Sequence, residues 1–258
     1  MIELEARDIH FAYWPDVPVI HGVSLALERG SMGALIGPNG CGKSTMIRLL
    51  AGILQPSVGE VLLEGNPIAA PDNHARTRRM AYVPQTTSRA FPFTALEVVL
   101  TGRSPHLSRF AFEGRRDVEK AFEALETAGV AHLAARRITE LSAGERQIVS
   151  FARALAQEPA CLLLDEPAAS LDLKHRASLV RTLLRLRDSR GLTVLMVTHD
   201  LSFIEPGFDV VFCMRDGVMV AAGEPADALR EPVLAEVYGD EQVRVRRAEG
   251  RTFVWSEA

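Results

Sequence analysis

Gly37, Gly42, Lys43 and Ser44 stand at the spacing G-x-x-x-x-G-K-[ST], within the stretch GPNGCGKST, and that spacing points to phosphate chemistry. Glycines let the backbone curl until successive N–H groups converge on one anion, where side chains would block the approach. Lys43 adds an ammonium suited to the β- and γ-phosphates of a nucleotide, and Ser44 offers a hydroxyl to Mg2+. The whole cradle is Gly37, Pro38, Asn39, Gly40, Cys41, Gly42, Lys43, Ser44 and Thr45. A second pair, Asp165 and Glu166 in CLLLDEP, supplies what turnover would need. Adjacent acids at a strand end point in different directions, so Asp165 is expected to hold the metal and Glu166 to polarise an attacking water. Taken singly, the two motifs could be a glycine-rich turn and a solvated acidic turn; together in one chain they favour catalysis.

The stretch LSAGERQIVSFARALAQEP adds a third feature. Ser142 with Glu145 three residues on is a capping box, which starts a helix well. A helix start carrying Ser142, Ala143 and Gly144 with unpaired N–H groups is also an anion site. One nucleotide has no evident need of two such sites from one chain. Two chains facing head to tail could share two nucleotides, each held between one copy's glycine loop and the other copy's Ser142 helix.

These groups need a scaffold, and the pattern of the chain describes one. Short apolar runs, GALIG, RMAYVPQ, ACLLLDEP, TVLMVTH and VVFCMRDG, alternate with helical periodicities, which predicts an α/β fold with a mainly parallel sheet. Several runs end in polar residues, at the carboxyl edge where open α/β sheets bind ligands. Residues 1–30 and 57–65 read as short alternating strands of a small antiparallel piece. Residues 93–158 are dominated by helical periodicity, as in DVEKAFEALETAGV and ERQIVSFARALAQ, and read as a helical insertion. The domain expected is thus a core of 1–92 and 159–258 interrupted by a helical part, 93–158.

Composition bounds the function classes. With 258 residues, 47% hydrophobic and 24% charged, the chain is that of a globular protein. A net charge of −4 gives no basic excess for gripping nucleic acid. No apolar run approaches the roughly 18 residues of a membrane span, and the start lacks a signal-peptide pattern, so a cytosolic chain is expected. Cys41, Cys161 and Cys213 form no disulfide framework and no metal-ligand spacing.

GPNGCGKST, Gln85 in AYVPQ, LSAGERQ, CLLLDEP, ASLD and His199 in VTHD stand in the order and approximate spacing of ATP-binding cassette ATPases, a resemblance covering nearly the whole chain. It implies a P-loop NTPase core with an N-terminal antiparallel β subdomain and an inserted α-helical subdomain, ATP and Mg2+ as ligands, and a homodimer that sandwiches the nucleotides. Residue by residue, Tyr13 resembles the aromatic that stacks on adenine, with a strand-core role as the alternative. Gln85 resembles the loop glutamine that reaches Mg2+ and the water and senses the membrane partner. Ser170 and Asp172 resemble the segment that crosses to the opposing site. His199 resembles the switch histidine at the γ-phosphate, the alternative being a satisfied buried histidine.

Two positions depart from the usual LSGGQ: Ala143 and Glu145. Glu145 would oppose phosphate binding unless its side chain turns back onto the Ser142 N–H, and that is the expected geometry. VVLTGRSPHLSRF, residues 98–110, resembles the GR-x-PH segment of ATPases that serve iron–siderophore, haem and vitamin B12 importers. The resemblance implies separate multi-span membrane permease subunits, a substrate-binding protein beyond them, and a peripheral position on the cytoplasmic face of the membrane. Phe91, Phe93 and residues 98–110 would either receive a cytoplasmic helix of the permease or form the core of the helical insertion. A soluble cassette acting in assembly, for example of iron–sulfur clusters, is the alternative function, and a nucleotide clamp without turnover is disfavoured by Glu166 and His199.

Overall fold

The computed structural model describes residues 1–69, 74–86, 92–108, 112–204, 207–248 and 251–257. Phe91 and the end of the 98–110 stretch lie outside them. Alternating burial along the first residues produces two long antiparallel strands, β1 (Ile2–Trp14) and β2 (Val17–Glu28), with several register shifts between them. They are longer than the short strands expected, because bulges let a strand bend around the core without ending. β3 (Met32–Ile36) follows and leads through the glycine loop into α1 (Lys43–Leu50). β4 (Val58–Leu63) and β5 (Asn66–Pro67) return to the first sheet, which has the order β2-β1-β4-β5.

After a short helix, α2 (His74–Arg79), the chain enters the second sheet at β6 (Met80–Val83). A layer of helices then intervenes: α3 (Ala95–Leu100), α4 (Arg115–Thr127) and α5 (Ala143–Ala156). These three pack on one another. The chain resumes with β7 (Cys161–Asp165), α6 (Leu173–Arg190), β8 (Thr193–Val197), β9 (Val210–Arg215) and β10 (Val218–Gly223). The second sheet has the order β10-β9-β3-β8-β7-β6 and is parallel except for β10. Every residue of β3, β7 and β8 is buried, as a parallel sheet covered on both faces requires. One face packs against α1 and the first sheet, the other against the helical layer and α6. Truncating a central residue such as Leu163 to alanine would cost about 2–5 kcal/mol.

Two short helices, α7 (Pro225–Ala228) and α8 (Glu231–Tyr238), and a hairpin of β11 (Val243–Ala248) and β12 (Arg251–Ser256) complete the chain. The hairpin packs on the Leu201–Phe203 turn and on α8. Neither it nor α6 is foreseen by the sequence reading.

The GRSPH residues turn inward. They form a 3-10 turn, Thr101–His106, clamped to the carboxyl end of α5. A Cβ on Gly102 would overlap the Arg153 carbonyl oxygen, so only glycine permits this approach. Arg103 is buried and donates to Ala156 O at 2.6 Å, to Glu158 at 2.8 Å and to Asp117 at 3.2 Å. His106 Nε2 donates to Gln157 O at 2.8 Å. For Gly102, Arg103 and His106 the core role therefore holds and the groove role does not, because their polar groups are consumed inside the helical layer. Phe93, by contrast, is exposed.

Candidate functional site

β3 ends in the glycine loop, whose conformation explains its composition. Gly37 and Gly42 have φ of 150° and 103°, and a Cβ on Gly42 would stand 2.8 Å from Ile20 Cδ1. The loop delivers Lys43 to the first position of α1, whose leading N–H groups have no partner within the helix. Lys43 is buried, and its Nζ donates to Gly37 O at 2.9 Å and Pro38 O at 2.8 Å. The ammonium is thus folded along the loop, with the weak acceptor Cys41 Sγ, at 4.0 Å, as a third partner. Cys41 is buried behind it, and burial pushes its thiol up despite the Lys43 charge, so it is not a poised thiolate.

β7, beside β8 in the sheet, carries the two acids, and they diverge. Asp165 is fully buried; its Oδ1 accepts from Ser44 Oγ at 2.9 Å and its Oδ2 from Tyr82 OH at 3.2 Å. Burial raises its pKa, and the bonds from Ser44 and Tyr82 oppose that rise. Glu166 adopts a left-handed φ of 46°, a conformation costing about 1–2 kcal/mol, and its N–H donates to Val197 O at 3.1 Å. The turn sends its carboxylate away from Asp165. Gln85 Nε2 donates to Glu166 Oε2 at 2.8 Å, and His199 Nδ1 lies 3.6 Å from the same oxygen. The His199 side chain is 56% exposed, which removes the alternative of a satisfied buried histidine.

These groups share one cleft of about 550 Å³, lined by Val19, Asn39, Gly40, Gly42, Lys43, Ser44, Thr45, Gln85, Glu166 and His199. At its rim Tyr13 is 47% exposed, too open for a core residue, with its hydroxyl 3.3 Å from Thr45 Oγ1 and its ring edge-on to Phe11. Arg48, one turn into α1, has its pKa raised chiefly by the Tyr82 hydroxyl and also by Tyr13, and so ties the cleft floor to its rim. Tyr82 and Arg48 escaped the sequence reading: an aromatic inside a strand and an arginine inside a helix carry no motif.

The Ser142 segment lies elsewhere. Ser142 caps α5, Glu145 N–H donates to Ser142 Oγ at 3.2 Å, and Ser142 N–H donates to Glu145 Oε2 at 2.7 Å. The glutamate is turned back as expected, and the Ser142 N–H holds its carboxyl below the usual range. Ala143 opens the helix, and Gly144 approaches the next motif so closely that a Cβ would sit 3.0 Å from Ser170 O. Asp172 caps α6, accepting from His175 N–H at 2.8 Å and facing its Nδ1 at 2.7 Å. None of Ser142, Ala143, Gly144, Ser170 and Asp172 lines the Lys43 cleft. Within one chain, then, the two expected anion sites are separate surfaces. They are linked by Gln147, buried on α5, which donates to Pro84 O at 3.0 Å beside Gln85.

A divalent cation fits the floor of the cleft. Ser44 and the buried Asp165 are hard oxygen donors side by side, 2.9 Å apart. Among the described residues no three His, Cys, Asp or Glu form a metal cage, which suits Mg2+ shared with phosphates.

Comparison with known proteins gives consistent findings. A family model described as ABC transporter matches residues 20–169. The hemin import ATP-binding protein HmuV of Myxococcus xanthus is 42% identical over 224 residues, covering 84% of this chain and 83% of that protein. The cobalamin import ATP-binding protein BtuD of Halobacterium salinarum is 40% identical over 211 residues, covering 82% of this chain; the chain spans only 52% of that relative. A solved metal-chelate type ABC transporter in an inward-facing conformation superposes with a TM-score of 0.84 at 28% identity, over 100% of this chain and 98% of that one.

Proposed function

Because the chain belongs to the ABC transporter family of ATPases, we propose that it is the ATP-hydrolysing subunit of an importer for an iron–siderophore, haem or cobalamin-type substrate. The observation that carries this reading is the cleft itself. A phosphate loop, the paired Ser44 and Asp165, and a Glu166 held by Gln85 and His199 meet there, while the Ser142 helix start faces another surface. The relatives named for import favour this reading over a soluble assembly ATPase.

The roles divide as the geometry suggests. The N–H groups of Gly37 to Thr45 and the Lys43 ammonium cradle the β- and γ-phosphates, with Tyr13 at the rim against the adenine. Ser44 and Asp165, joined by Gln85, would hold Mg2+, which supplies neutralisation of phosphate charge. Glu166 orients a water toward the γ-phosphorus and takes its proton as the new P–O bond forms and ADP departs. His199 steadies the γ-phosphate end of the cleft. A second copy, facing head to tail, brings Ser142, Ala143, Gly144 and Asp172 to the same nucleotide. Loss of the γ-phosphate removes the charge joining the copies, and their opening drives transport.

In this reading residues 1–92 and 159–258 form the nucleotide-binding core and 93–158 the helical subdomain. The partners are multi-span permease subunits and, through them, a substrate-binding protein, with the chain peripheral on the cytoplasmic face. Among the described residues no helix is long and apolar enough to cross a membrane. Affinity purification from detergent-solubilised membranes tests the proposal: recovery of a multi-span protein that raises ATP hydrolysis supports it, and recovery of soluble partners alone refutes it.

A further inference from the structure

Two side chains on α5 lack partners among the described residues. Ser150 is 5% exposed, yet its hydroxyl makes no hydrogen bond. Arg153 follows at i+3, on the same helix face, and its guanidinium makes neither hydrogen bond nor ion pair. Burial lowers its pKa, and among the described residues no carboxylate offsets the effect. Both open into a cavity of about 330 Å³ whose other walls are Pro84, Thr86, Val98, Ile138, Arg146 and Val149. Among the described residues no acid lines this space, whereas Arg146 is already engaged with Leu141 O. A hydroxyl and a guanidinium converging in a partly dry space form a receptor for one anion, and a planar fork suits a carboxylate best.

We propose that Ser150 and Arg153 receive the carboxylate of an acidic side chain on the cytoplasmic segment of the membrane subunit. The cavity's position argues for a protein's acid over a free anion. One wall is the loop that carries Gln85 and hence contacts Glu166; the other is the helix that begins at Ser142. A side chain seated here touches the elements that serve both nucleotide-facing surfaces. Its volume admits one or two side chains, so it acts as an anchor point within a larger contact. Water around Arg153 is the plain alternative, and it predicts no effect on partner binding. The proposal rests on the importer reading above.

The test uses the full chain and its membrane subunits in detergent. Arg153→Leu is expected to weaken their association at least about thirtyfold, the effect of removing one member of a buried charge pair, and to leave ATP hydrolysis by the uncomplexed chain within about twofold. Arg153→Lys keeps the charge and supplies an amine, which a carbodiimide would join to a contacting carboxylate. The expected product is a cross-link from position 153 to an Asp or Glu of the membrane subunit. An intact complex without that cross-link, or an Arg153→Leu chain that binds as the wild type does, overturns the inference and leaves the importer reading standing. A wild-type chain that recovers no membrane subunit overturns both.

Discussion

Gln85 Nε2 donates to Glu166 Oε2 at 2.8 Å, so the loop after β6 and the acid after β7 behave as one unit in the cleft. His199 approaches the same oxygen from the other side at 3.6 Å. Glu166→Gln should retain ATP binding and lower turnover roughly 10²- to 10⁴-fold, the range for loss of a general base. Gln85→Ala leaves the carboxylate in place but unsteadied, and should cost roughly 10- to 100-fold. Steady-state phosphate release measures both; near-normal turnover in Glu166→Gln would remove the glutamate from its role.

Lys43 is held along the loop by Gly37 O and Pro38 O rather than free in solvent. Lys43→Ala should therefore weaken ATP affinity roughly 10- to 100-fold, as expected for lost charge-assisted hydrogen bonds. Calorimetric titration reads the change directly. Unchanged affinity would speak against the phosphate-loop role.

Asp165 is buried with the Ser44 and Tyr82 hydroxyls as its hydrogen-bond partners, and burial raises its pKa. A carboxyl whose folded pKa exceeds its unfolded value stabilises the fold fully below the unfolded value, and that contribution is lost as pH rises through the folded one. Without nucleotide or metal, Asp165→Asn should therefore melt higher than the wild type at pH 7. The rise should be roughly 2–4 °C, the shift that about 1 kcal/mol produces in a domain of this size. The difference should shrink as pH falls through the raised value and be gone below the ordinary value of 3.8. Melting curves at several pH values decide it, and a constant difference would show that ionisation of Asp165 is not its cause.

Arg103 joins α5 to Asp117 and Glu158 from inside the helical layer. Arg103→Met should cost about 3–5 kcal/mol, as removal of one member of a buried ion pair does, and lower the melting temperature by roughly 6–20 °C. Binding of ATP by the folded fraction should persist, because Arg103 is absent from the Lys43 cleft. A selective loss of ATP binding with unchanged melting would contradict the structural role.

Motif-bearing parts of the site were legible because their chemistry restricts composition. The glycine loop, Asp165, Glu166 and the Ser142–Glu145 box each need particular residue types at fixed spacing. Less visible features depend on tertiary context. Nothing local announces that Glu166 takes a left-handed turn, since glutamate has no preference for it; packing around Val197 imposes it. Tyr82 and Arg48 act only because β6 and α1 converge on Asp165. In α6 the buried Leu179, Leu183 and Leu186 do follow a helical spacing, but eight charged or histidine neighbours obscure it. GRSPH was informative as a resemblance, yet its inward, clamping geometry could not be read from the letters.

The central claim is that one nucleotide is completed by two copies of the chain. Its most direct measurement is the molecular mass of Glu166→Gln by analytical ultracentrifugation with Mg·ATP, alone and with the membrane subunits. The account predicts two copies associated with ATP that separate when ADP replaces it. A single copy under every one of these conditions would contradict it.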